Sequence, residues 1–100
     1  MAKITTKSTN MTSYFGVLLV TTPEKLISLL GESTYGLNCS GEKVKMGWDC
    51  ETEDGDVFTI YDYYTHRTLE MNDVVHWHLG GFSKEATEKG LIEMTAMLSK

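Results

Sequence analysis

His76 and His78 stand two residues apart in the run Val74-Val75-His76-Trp77-His78-Leu79-Gly80-Gly81. Side chains on an extended backbone alternate between faces, so both imidazoles should project from the same side. Two imidazoles so placed could share a metal ion if a loop brought in His66, and Asp62 could act with His78 as an acid–base pair. Both schemes are incomplete. No third metal ligand has a fixed spacing, and no serine or cysteine nucleophile motif, glycine-rich phosphate loop or paired-carboxylate signature stands nearby. The chain is therefore expected to be non-enzymatic, with no metal and no cofactor.

Binding explains the same residues better. Tyr61, Tyr63, His76 and His78 are flat groups that form hydrogen bonds and lose little conformational freedom when held. Such groups suit stacking on a base or covering by a protein. Lys43, Lys45 and Arg67 could supply local positive charge for a phosphate, and Gly80 and Gly81 lie at the end of the same stretch. On the residues alone, a ligand site, a protein interface and a plain wet surface remain open alternatives.

The elements that position these residues follow from hydrophobic period and turn chemistry. Residues 1–12 are polar and read as either a frayed terminus or an edge strand. Residues 13–20 form a continuous apolar run, which suits a strand buried on both faces, with Gly16 as a bulge or close-approach point. Thr22 caps a short helix, Pro23 occupies its first turn, Leu26, Ile27, Leu29 and Leu30 supply its apolar face, and Gly31 stops it. Residues 32–42 read as a loop. Residues 43–53 alternate, with Val44, Met46, Trp48 and Cys50 on one side. Asp54-Gly55 turns the chain into a strand that begins at Val57.

Register follows from burial. A two-residue loop would set Cys50 opposite Thr59 and mix apolar and acidic residues on one face. A three-residue loop, Asp54 to Asp56, sets Cys50 opposite Ile60 and Thr52 opposite Phe58, and this second register is predicted because a one-residue slip would turn every side chain over. The core side then carries Val44, Met46, Trp48, Cys50, Phe58, Ile60, Val75, Trp77 and Leu79. The other side carries Lys45, Val57, Thr59, Tyr61, Tyr63, His76 and His78. Gly80-Gly81 is expected to break the last strand, and Ser83 to cap a second helix whose Ala86, Gly90, Leu91, Met94, Met97 and Leu98 recur at helical spacing. The predicted order is β-α-β-β-β-α, a single α+β domain over residues 1–100: an antiparallel sheet with two helices on one face, in two layers.

Composition bounds the partners. Nine basic against fourteen acidic residues give a net charge of −5, which argues against a general affinity for extended nucleic acid, since that needs a basic stripe. Cys39 and Cys50 form no CxxC or zinc spacing and are expected as reduced thiols. The first twelve residues have no signal-like apolar region, and the longest apolar run is too short to span a bilayer, so a cytoplasmic protein without membrane contact is expected.

Read together, Leu30-Gly31-Glu32, Lys43-Val44 with Trp48, Phe58-Thr59-Ile60-Tyr61-Asp62-Tyr63 and Trp77-His78-Leu79-Gly80-Gly81 resemble the pattern of a group of small, largely uncharacterised accessory proteins of tailed bacteriophages. The resemblance spans about half the chain and rests on the order and spacing of these motifs. Ser33 stands where that group usually has proline, Tyr63 where it has tryptophan, and Leu79 where it has isoleucine. The resemblance implies a host-takeover or anti-defence factor acting in the host cytoplasm. Two mechanisms follow from it. One is a homo-oligomer that sequesters a small anionic, nucleotide-type defence signal, with Tyr61, Tyr63 and His78 at the base and Lys43, Lys45 or Arg67 at phosphate. The other is an acidic inhibitor, in the manner of an anti-CRISPR protein, that blocks a host defence or nucleic-acid-processing protein.

Overall fold

The computed structural model describes residues 2–7, 12–31, 47–62 and 72–99. Five strands and two helices follow in the order β1 (Lys3–Ile4), β2 (Ser13–Thr21), α1 (Pro23–Leu30), β3 (Gly47–Glu51), β4 (Val57–Tyr61), β5 (Val75–Gly81) and α2 (Lys84–Leu98). The strands form one antiparallel sheet in the order β1-β3-β4-β5-β2. The helices pack against it, which makes the α+β fold that the patterning predicts. Within the described part of the first twelve residues, Lys3–Ile4 forms a short edge strand, with Lys3 paired with Glu51 and Ile4 with Cys50. The expected positions Lys43, Val44, Lys45, Met46, Tyr63, His66 and Arg67, together with the 32–42 loop and Cys39, lie outside the described residues.

The core lies on the helix side of the sheet. Trp48, Phe58, Ile60, Trp77 and Leu79 are fully buried there, with Leu26 of α1 and Met94 of α2 closing over them. The two indoles meet edge to face, with centroids 5.4 Å apart at 75°, the geometry favoured by the ring quadrupole. Each also grips one end of α1. Trp77 Nε1 donates to the Thr21 carbonyl at 3.1 Å, just before the helix, and Trp48 Nε1 donates to the Gly31 carbonyl at 2.9 Å, just after it. The Thr22 hydroxyl accepts from the Lys25 amide at 3.3 Å, as a cap should. A helix of eight residues gains little from propensity alone. Its stability comes from this clamp and from Leu26.

The turn between β3 and β4 corrects the predicted register while keeping its faces. Cys50 pairs with Phe58 and Trp48 with Ile60, so the three-residue loop is Glu53 to Gly55 rather than Asp54 to Asp56. The Thr52 amide donates to the Asp56 carbonyl and the Gly55 amide to the Thr52 carbonyl, both at 2.9 Å. Gly55 has φ of 89°, and a three-residue hairpin places its glycine at this left-handed last position. The shift amounts to one residue on each strand, so every side chain stays on its predicted face.

Two further expectations are overturned. The apolar run at 13–20 is not buried on both faces: β2 is the last strand of the sheet and alternates between exposed and buried from Val17 onward. Its length and composition match a central strand, but among the described strands it pairs with β5 alone. The Gly80-Gly81 pair does not break the last strand either. Both residues lie within β5, where Gly80 pairs with Thr59 and Gly81 with Phe58.

Helix α2 is capped by Ser83, whose Oγ accepts from the Ala86 amide at 3.1 Å. It crosses the sheet on Gly90, where an added Cβ would fall 2.6 Å from Phe58 Cγ. Gly90→Ala is expected to lower the unfolding free energy by about 1–2 kcal/mol, because overpacking against the ring exceeds the gain in helix propensity. Urea denaturation followed by tryptophan fluorescence checks this, and an unchanged or higher midpoint would contradict so close a helix–sheet contact.

Candidate functional site

The face away from the helices is built by alternation along β4, β5 and β2. Thr59 and Tyr61 of β4, His76 and His78 of β5, and Tyr14, Leu18 and Val20 of β2 share it through the pairs Thr59–Gly80, Tyr61–His78, Tyr14–Gly80, Leu18–His78 and Val20–His76. Alternation with Leu18 and Val20 places Tyr14 on this face, and the irregularity between Tyr14 and Val17, with Gly16 at φ of 82°, sets it opposite Gly80 rather than Phe82. Its ring stacks on His78 with centroids 4.3 Å apart and planes 12° from parallel. Tyr61 meets the same imidazole edge-on at 5.6 Å and 65°. His78 is thus the hub of a three-ring cluster.

The face is not uniform. Its centre, at Val57 and Thr59, is buried, whereas the half over β2 is exposed: Tyr14 by 43%, Leu18 by 41% and Val20 by 53%. His76 is exposed beside Val20, and His78 and Tyr61 are half-buried. Toward β1 the face becomes ionic. Lys7 Nζ lies 3.4 Å from Glu51 and donates to the Gly55 carbonyl at 2.9 Å. Hydrogen bonding from Thr5, then the nearby Lys7 and Lys3 charges, hold the Glu51 carboxyl below its usual range. Burial pushes the Asp49 carboxyl above its usual range. On the helix side, burial and the neighbouring Asp49 charge push the Cys50 thiol up to about 12, so it stays protonated and inert as a nucleophile.

Of the nine residues singled out from the sequence, the structure brings Tyr61, His76, His78 and Gly80 to one face. Gly80 is narrowly enclosed there: a Cβ would stand 2.9 Å from Thr59 Oγ1 and 3.1 Å from the Ser13 carbonyl oxygen. Gly81 belongs elsewhere. It is buried, and a Cβ on it would lie 2.6 Å from Thr87 Oγ1, so it lets the first turn of α2 approach β5. Its role is packing. Tyr63, Lys43, Lys45 and Arg67 lie outside the described residues. Sequence reasoning missed Tyr14, Leu18 and Val20, because a continuous apolar run hides which side is covered. The even spacing of Tyr14, Leu18 and Val20 was the available clue.

Asp62, proposed from the sequence as an acid–base partner of His78, is fully buried one residue beyond β4. Tyr61 is the residue that pairs with His78 across the strands. Among the described residues, no group of three or more His, Cys, Asp or Glu side chains is arranged to hold a metal ion. No helix among them is long and apolar enough to cross a membrane. A solvent-open cleft of about 310 Å³ lies between the helices, lined by Glu24, Lys25, Ser28, Leu29, Met97 and Leu98. The fold and the ring cluster together define a small α+β domain with an aromatic sheet face. Compared with protein-family models, curated proteins and solved structures, the chain matches none.

Burial lowers the His78 pKa below its ordinary value of 6.5. The folded state therefore resists protonation there, and the associated stability is complete above the unfolded value and lost as pH falls through the folded one. Wild type should lose stability below about pH 6.5 more steeply than His78→Gln. Denaturation midpoints across pH 5–8 check this, and parallel curves would contradict it. Gly81→Ala should destabilise the protein by about 1–3 kcal/mol without any ligand, as overpacking does. A wild-type melting temperature for that variant would count against its packing role.

Proposed function

We propose that this protein is a non-enzymatic binding module that sequesters a small, planar, anionic ligand of nucleotide type on its aromatic sheet face. The observation that carries this reading is the Tyr14–His78 stack, flanked by Tyr61, on the half of the sheet that is exposed. A base can extend that stack over Tyr14 without sequence-specific contacts, since every base offers a π-face. His78 backs the Tyr14 ring as the inner layer of the stack and Tyr61 meets His78 edge-on, so the base would lie on the far side of Tyr14. Lys43, Lys45 and Arg67 are the proposed phosphate partners. The motif resemblance supports placing this activity in a phage-encoded anti-defence factor that acts in the host cytoplasm on a signalling nucleotide.

A second reading, an acidic inhibitor of a host protein, draws on the net charge of −5 and on the exposed Leu18 and Val20 beside the rings.

Thermal melts against a panel of linear and cyclic nucleotides test the first reading. A ligand at a hundred times its Kd should raise the melting temperature by on the order of 10 °C for a domain of this size, and Tyr14→Ala should abolish that rise. A flat panel overturns the reading. In that case a stoichiometric host protein captured from lysate, and lost on charge reversal at Asp49 or Glu51, would support the second.

A further inference from the structure

The sheet has two edges, and they are finished differently. β1 is two residues long, begins at Lys3 and is followed by Lys7, which is engaged with Glu51. Short length and lysine are standard means of preventing strand addition. β2 is nine residues long, carries no charged residue, and pairs on one side only among the described strands. Residues 12–23 contain no Asp, Glu, Lys or Arg, in a chain whose net charge is −5.

We infer that the β2 edge is an interface for a second copy of this chain, with the regular half, Val17 to Thr21, pairing antiparallel to itself about a twofold axis at Leu19. Three observations select a second copy over a foreign strand. First, the bulge at Phe15-Gly16 interrupts the edge, so a long partner strand would lose its register there, whereas twofold self-pairing uses only the five regular residues beyond it. Second, the segment is self-complementary. With Leu19 on the axis, Leu18 faces the partner's Val20 on the exposed face, and Val17 faces the partner's Thr21 on the helix side. Each pairing joins residues suited to strands, and none juxtaposes like charges. Third, two acidic molecules repel each other, and this uncharged edge lets them approach without setting carboxylates face to face.

The area is small. Only Val17 to Thr21 are paired, and Leu18 and Val20 stay on the open face beside the axis, so the pair buries less than the roughly 1,000 Å² of a stable specific interface. The dimer is therefore weak and reversible. It would make a ten-stranded sheet with the two Tyr14–His78 clusters on the same continuous face, either side of a Leu18/Val20 strip. Self-association here does not depend on the ligand reading, and its test uses no ligand.

Sedimentation equilibrium of the full chain over about 1–500 µM reads the association directly. The mass should climb from the 11.2 kDa of one chain toward twice that value. A constant monomer mass across the range overturns the proposal. The double variant Leu18→Glu with Val20→Glu changes two exposed side chains and sets four carboxylates across the axis, so its Kd should weaken by about a hundredfold or more. Dimerisation at wild-type strength in that variant, with native circular dichroism, overturns the interface. Ile92→Glu, on the exposed side of α2, should dimerise as wild type does, and loss of the dimer in this control would move the interface off β2. Hydrogen exchange on the unmodified protein reads the edge independently of any variant. Amide protection within Val17–Thr21 should rise with protein concentration, and concentration-independent exchange there overturns the proposal.

Discussion

The fold depends on the pair of indoles beneath α1. Trp48 and Trp77 sit on strands separated by β4, touch edge to face, and send their N–H groups to carbonyls on opposite sides of the same eight-residue helix. A helix this short is marginal in water, and a buried indole N–H without an acceptor costs about 1–3 kcal/mol. The two requirements meet in one arrangement. The helix supplies the acceptors that the indoles need, and the indoles fix both helix ends over the sheet. Because α1 connects an edge strand, β2, to β3 near the other edge, the clamp also ties the two halves of the sheet together.

A second set of contacts orders the opposite end of the domain. The Glu93 carboxylate accepts from the Glu53 amide at 3.0 and 3.2 Å, and Lys89 Nζ lies 3.2 Å from Asp56. These ties hold the β3–β4 turn against α2 while Gly90 lets the helix sit on Phe58. The exposed ion pair contributes little by itself. Its value is positional, since the turn sets the register that sends Trp48 to the core and Asp49 to the other face. With one side of the sheet filled by helices, the residues at alternate positions are left to form the ring cluster. Tyr14, Tyr61 and His78 are therefore presented together on one face of the sheet.

Much of the scaffold was legible in the residues. Thr22-Pro23 and Gly31 marked α1, Ser83 marked the start of α2, and the apolar alternation of Trp48, Cys50, Phe58, Ile60, Trp77 and Leu79 identified the core side. The face carrying Tyr61, His76 and His78 was legible for the same reason, because alternation fixes both sides of a strand at once. Gly80 and Gly81 were harder to separate. Adjacent glycines look alike in sequence, yet one lies beside Thr59 and the other makes room for Thr87.

What the sequence determined by itself is local: helix limits through capping and strand faces through period two. Only the tertiary structure decided which strand lies at the edge. Ser13–Thr21 has the composition of a central strand, and no local signal reports how many neighbours a strand acquires, since that number is set by pairings made far along the chain. The same non-local choice brought Tyr14 onto His78 from sixty-four residues away and left Leu18 and Val20 exposed beside them. The ring cluster is for that reason a property of the folded sheet, although its histidine and one of its tyrosines could be read from alternation alone.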